Sequence, residues 1–195
     1  MKSLSLSQPH LLVTVGIPGS GKSFFAEKFA ATFKAPYVKY DTLMNISHHN
    51  SASSDAVAGY MLKELFKTGH TVVFDGPTAS RLERSALKDL AASAGYKTVF
   101  VWVQTDTLTA KNRHMKTEQK MGHRVTSAHY DALIRAFESP TEKEQPVVVV
   151  SGKHTYATQA KAVLKNLLAV KQAARQKVSH DPADLVPVKR STSIR

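Results

Sequence analysis

The run Gly16-Ile17-Pro18-Gly19-Ser20-Gly21-Lys22-Ser23 fits the pattern G-x-x-x-x-G-K-[ST] without a mismatch. That spacing suits the wrapping of a polyphosphate. The glycines let successive backbone N–H groups turn inward, and a helix start adds unsatisfied donors and a favourable dipole. Lys22 is expected to reach the outer phosphates and the Ser23 hydroxyl to bind Mg²⁺. Gly16, Pro18, Gly19, Ser20, Gly21 and Phe24 are expected to complete the cradle around ATP. Asp75 closes the apolar run Val72-Val73-Phe74, and an acid so placed after a phosphate loop is expected to orient the same Mg²⁺. Its alternative role is to cap the loop begun by Gly76-Pro77.

Two other features bear on what would happen to the phosphate. Asp41 follows Tyr37-Val38-Lys39-Tyr40, and a carboxylate facing the γ-phosphate accepts the proton of an attacking hydroxyl. Its alternative, compatible role is to cap the segment Thr42-Leu43-Met44. From Thr105 to Val125 the sequence turns polar and basic, with Lys111, Arg113, His114, Lys116, Lys120, His123 and Arg124. The stretch is expected to be a mobile, poorly buried excursion able to fold over the loop as a lid. Its Arg113 and Arg124 would then offset charge on the transferring phosphoryl group. Arg84, in the helical stretch after Asp75, is a candidate for holding the acceptor. For each arginine the alternative is a solvated helix face. His48, His49, His114, His123 and His129 show neither metal-ligand spacing nor a triad, and read as surface residues.

These groups need a scaffold that gathers them. Five runs read as strands: Leu11 to Ile17, Tyr37 to Tyr40, Thr71 to Phe74, Thr98 to Val103, and Val147 to Val150. The fourth and fifth are almost wholly apolar, as expected of strands covered on both faces. They alternate with helical stretches, which implies a parallel sheet with right-handed crossovers and a three-layer α/β domain. In the first helix Phe25, Phe29 and Phe33 recur at i, i+4 and i+8. Ser53-Ser54-Asp55 can cap a helix with inner face Val57, Met61, Leu62 and Leu65. A third helix runs from about Ala79 to Ala94. Ser127 can cap a helix through Tyr130, Leu133, Ile134 and Phe137, which Pro140 ends. The last helix starts near Tyr156, presents Val163, Leu164, Leu167 and Leu168, and is expected to fray beyond Lys171. In this fold class ligands gather beyond the carboxyl ends of the strands, where the phosphate loop, Asp41 and Asp75 all fall.

Composition narrows the remaining options. The 195 residues are 42% hydrophobic and 22% charged, as in an ordinary globular chain, and contain no cysteine. Disulfides, thiolate zinc sites and cysteine nucleophiles are thereby excluded. Met1 to Pro9 has no sustained apolar core of a signal peptide, and no stretch approaches a membrane span, so a cytoplasmic enzyme is expected. The net charge of +12 fits a polyanionic partner such as nucleic acid, or simply offsets bound nucleotide. Residues 1–178 are read as one domain. Residues 179–195, with prolines, scattered charge and little periodicity, are read as a disordered basic tail.

With these residues placed, the chain resembles the P-loop kinases of the polynucleotide-kinase and zeta-toxin type, often described as ATP-binding AAA-domain proteins. The shared features are GIPGSGKS, the Asp after the second strand, the VVFD strand end and the helix bearing Arg84. They continue through Leu108 to Arg113 and the F-E-S-P stretch from Phe137 to Pro140. The resemblance spans roughly residues 10–170. It implies a P-loop NTPase fold with strand order 2-3-1-4-5, Mg-ATP, and transfer of the γ-phosphoryl to a hydroxyl. It also implies a general base at Asp41 and an arginine-bearing lid over 105–125. One position departs from it: many relatives carry an arginine three places after that Asp, where this chain has Met44.

Three readings follow. The first is an ATP-dependent kinase acting on a 5′-hydroxyl nucleic-acid end, a nucleotide-sugar or a small metabolite. The second is an ATP-binding regulatory module with slow hydrolysis. The third is a nucleic-acid-binding protein with incidental ATPase activity. Oligomeric state has no signature in the sequence.

Overall fold

The apolar runs pair into one five-stranded parallel sheet in a computed structural model that describes residues 8–178. The strands are β1 (His10–Val15), β2 (Tyr37–Lys39), β3 (Val72–Asp75), β4 (Lys97–Gln104) and β5 (Val147–Ser151), in the order β2-β3-β1-β4-β5. Register is parallel throughout: Leu12 lies against Val73 of β3 and Val99 of β4, and Trp102 against Val149 of β5. The helices are α1 (Lys22–Phe33), α2 (Tyr40–Ile46), α3 (Ser51–Phe66), α4 (Arg81–Ser93), α5 (Thr107–Lys120), α6 (Ser127–Ala136) and α7 (Tyr156–Val178). This is the P-loop kinase fold, with the strand order that the resemblance implied.

Alternation along β1 shows why both faces must be covered. Leu11, Val13 and Val15 join Leu62 and Phe66 of α3 and Ala91 of α4 on one side of the sheet. Leu12 joins Phe25 and Phe29 of α1 and Val163 and Leu167 of α7 on the other. Successive side chains of a strand point to opposite faces, so an all-apolar strand is stable only between two helical layers. The phenylalanine row of α1 packs as its spacing predicts, with ring centroids 5.5 Å apart for Phe25–Phe29 and 4.5 Å for Phe29–Phe33.

Several local expectations are corrected. β2 stops at Lys39 and α2 begins at Tyr40, so Asp41 stands in the first turn of a helix. α3 is capped by Asn50, whose side chain accepts from the Ser53 N–H at 2.9 Å. Its buried face is Ser54, Ala58, Leu62 and Phe66, with Met61 and Leu65 packed beside it. Val57, expected on that face, is 45% exposed. The polar sequence of 105–125 is largely the regular helix α5. α6 is capped by Thr126 rather than Ser127, and α7 continues past Lys171 to Val178. The tail expected over 179–195 lies outside the described residues. No described helix is long and apolar enough to cross a membrane.

Candidate active site

The loop between β1 and α1 is held open by backbone geometry that only glycine tolerates. Gly19 has φ +78°, and a Cβ there would run into the carbonyl of Ala110 on α5. Gly21, at φ 105°, is the N-cap of α1 and supplies no side-chain cap, and the first turn of α1 has no acidic residue. The first N–H groups of α1 therefore find no anion within the helix itself, and a bound anion supplies one. The fully buried Ser20 hydroxyl has no hydrogen-bond partner among the described residues. A glycine cradle, an uncapped helix start and an orphaned hydroxyl together fit a polyphosphate.

Lys22 folds back over this cradle. Its Nζ donates to the carbonyls of Gly16 at 2.7 Å and Ile17 at 3.1 Å. Burial pushes its ammonium below the usual lysine range, against the opposing pull of Asp75 and then Asp41. A cation satisfied only by two loop carbonyls gains strongly from an incoming anion. Ser23, beside it in the first turn of α1, is half-buried.

Asp75 closes β3 between the two strands that fix it. The Thr14 hydroxyl of β1 donates to one carboxylate oxygen at 2.7 Å. The Tyr37 hydroxyl of β2 reaches the other at 3.4 Å, a weak bond. Desolvation pushes the Tyr37 phenol well above its usual range, with the Asp75 charge adding to the rise. Asp41 is exposed, yet its carboxyl also lies above the ordinary aspartate value. Removal of water by the surrounding protein contributes most and repulsion from Asp75 next, while Lys39 and Lys22 oppose. Lys22, Asp75 and Asp41 thus form one electrostatic group at the carboxyl ends of β1, β3 and β2. Among the described residues no three acidic or histidine side chains form a metal cage. Mg²⁺ is bound by few protein ligands together with phosphates and waters, so Ser23 and Asp75 would be a sufficient protein contribution if the ion binds here.

The segment expected as a mobile lid is packed directly on the phosphate loop. Ala110, fully buried, meets Gly19, and the Thr105 hydroxyl donates to the Ser20 carbonyl at 2.9 Å. The hydroxyl of the fully buried Tyr130 on α6 donates to the Pro18 carbonyl at 3.2 Å. Lys111 pairs with Asp131 at 2.7 Å, joining α5 to α6. His114, expected at the surface, has a side chain only 16% exposed. Its ring lies 5.5 Å from that of Tyr130. Burial, followed by the opposing Glu118 charge, leaves the His114 imidazole below its usual pKa. Ala110, His114 and Glu118 recur at i and i+4, a helical face visible in the sequence. Tyr130 carries no such signal: only the fold reveals that its hydroxyl reaches Pro18.

The arginines separate. Arg113 is exposed and donates to the carbonyl of Gly152, beyond β5, at 3.1 Å. Arg124 is exposed in the turn between α5 and α6. Phe24 is 55% exposed, with the Lys28 ammonium 5.7 Å above its ring. Arg84 is fully buried and committed elsewhere. It donates to both carboxylate oxygens of Glu144, at 2.6 and 3.2 Å, and to the carbonyls of Thr78 at 2.9 Å and Glu138 at 2.8 Å. A guanidinium so saturated ties α4 to the segment before β5, which corrects the expectation that Arg84 holds an acceptor.

The chain belongs to the AAA-domain family whose model matches residues 11–140. No curated protein matches it in sequence. Solved structures, kinases among them, share its fold. The Sinorhizobium meliloti gluconokinase is 21% identical with a TM-score of 0.63, over 87% of this chain and 97% of its own. The Mycobacterium tuberculosis APS kinase CysC, solved with AMPPNP and APS, is 16% identical with a TM-score of 0.62, over 83% and 98%. Kti12 of Chaetomium thermophilum, in complex with ADP-AlF3, is 19% identical with a TM-score of 0.61, over 80% and 96%.

Proposed function

We propose that this protein is an ATP-dependent phosphotransferase that moves the γ-phosphoryl group of Mg-ATP to a hydroxyl acceptor. The observation that carries the reading is the grouping of Lys22, Asp75 and Asp41 around an uncapped glycine cradle. In it the backbone N–H groups of the loop and Lys22 hold the phosphates. Ser23 ligates Mg²⁺, which would offset charge on the transferring phosphoryl group. Asp75, already accepting from Thr14 and Tyr37, would help to hold that ion, directly or through water. Asp41 takes the acceptor's proton, and its raised pKa makes it a stronger base than an ordinary aspartate.

The direct test is transfer of label from γ-labelled ATP to a panel of sugars, nucleosides, nucleotide-sugars and 5′-hydroxyl RNA and DNA, with phosphate release followed in parallel. Label on one acceptor, reduced about 10²–10⁴-fold in Asp41→Asn with ATP affinity retained, is the expected result. The rate should also fall on acidification at a pH above the ordinary aspartate value, because protonated Asp41 accepts nothing. Unchanged transfer in Asp41→Asn would reduce the residue to a helix-start carboxylate. A regulatory ATP-binding module is favoured by Met44 and by the commitment of Arg84, since neither offers the acceptor a cation. Phosphate release with no labelled acceptor is its signature.

A further inference from the structure

Beside the phosphate loop, on the β4–β5 side of the sheet, lies a cavity of about 490 Å³ that borders the site described above at Ile17 and Thr105. Ile17, the second residue of the loop, forms part of its wall, so its contents border the phosphate cradle. Trp102 of β4 and Phe137, just after α6, line it, each half-buried with ring surface left over. The Gln104 amide and the Ser139 and Ser151 hydroxyls line it as neutral donors and acceptors. Its two charged residues cancel: Lys153 pairs with Asp106 at 2.6 Å. The lining of the cavity therefore carries no net charge to attract a phosphate or carboxylate. Aromatic faces attract polarised C–H groups, and a few neutral polar groups beside them fix orientation.

We infer that this cavity is the acceptor pocket and that it takes an uncharged hydroxylated ring, a free sugar or the ribose-bearing part of a nucleoside. The inference rests on the phosphotransferase reading for its reaction but not for its binding. A hydroxyl directed from the cavity toward Ile17 faces the phosphate loop. The attacking oxygen forms the new P–O bond, the bond from the γ-phosphorus to the bridging oxygen breaks, ADP leaves, and the hydroxyl proton passes to Asp41, the base of the proposed reaction. The specificity is set by absence: an anionic acceptor would enter without an available cation, whereas a neutral one loses nothing.

Trp102 is the single tryptophan of the chain, so its emission reports on this wall alone. The experiment titrates the full-length protein, without nucleotide, with D-glucose, D-ribose, adenosine and cytidine. D-gluconate and adenosine monophosphate serve as charged counterparts. A saturable change with at least one neutral compound, and a weaker response to its charged counterpart, is expected. The exposed Gln104→Ala should weaken that binding about three- to tenfold, the loss of one neutral hydrogen bond. A silent Trp102 across all the neutral compounds, or tighter binding of the charged ones, overturns the pocket. Label transfer measured in parallel separates the two claims. Transfer to an acceptor that leaves Trp102 unchanged defeats the pocket and keeps the phosphotransferase. A saturable Trp102 response without transfer keeps the pocket and defeats the phosphotransferase.

Discussion

Lys22 and Arg84 are both cations withdrawn from water, and they are treated in opposite ways. Arg84 is enclosed with a carboxylate partner, Glu144, and its remaining donors reach carbonyls on either side. Lys22 has carboxylates near but not bonded to it, and only the Gly16 and Ile17 carbonyls to hold. The first arrangement is complete and fixes structure. The second is short of negative charge and calls for a ligand. Buried cations thus differ by what remains unsatisfied around them, and that residual demand is the better guide to function.

The strongest way to break this comparison is Lys22→Ala. Turnover of ATP should fall by 10²-fold or more, with thermal unfolding little changed, because Lys22 supports phosphate rather than core. Full retained activity would remove the distinction. Arg84→Met should do the reverse, destabilising the fold by about 3–5 kcal/mol because Glu144 is left buried and unpaired. Pairing it with Glu144→Gln should recover a large part of that loss in urea unfolding. Failure to recover would mean that the carbonyls, not Glu144, hold Arg84. Next in size is Tyr130→Phe, which removes the bond to the Pro18 carbonyl. A cost of about 1 kcal/mol in stability is expected, together with faster hydrogen exchange at the phosphate loop.

The smallest effect concerns a third group kept from water, His10. It is 3% exposed at the start of β1, and neither ring nitrogen has a partner among the described residues. Burial lowers its pKa from 6.5, and the nearby Lys97 charge adds to the fall. A base with a depressed folded-state pKa binds fewer protons folded than unfolded. Its stability contribution is intact above about pH 6.5 and is lost as pH falls below it. The slope is at most about 1.4 kcal/mol per pH unit. Urea midpoints should decline on acidification, and less so in His10→Phe. An identical decline in the two proteins would assign the effect elsewhere.

The sequence determined the fold class and the phosphate cradle because both rest on local patterns. Apolar strand runs, a row of phenylalanines and glycines at fixed spacing impose their geometry within a few residues. It also placed Asp75 at a strand end, since strand termini follow from hydrophobic patterning, whereas Asp41 falls in the first turn of α2. Tertiary structure alone decided what the polar residues do. Arg84 and Arg113 are equally polar in sequence, but only packing determines which loses water and so must find a carboxylate. The polar stretch from Thr107 to Lys120 became a docked helix because Gly19, having no side chain, leaves room for the Ala110 carbonyl. Tyr130 meets Pro18 across 112 positions of chain, a proximity that no local pattern encodes.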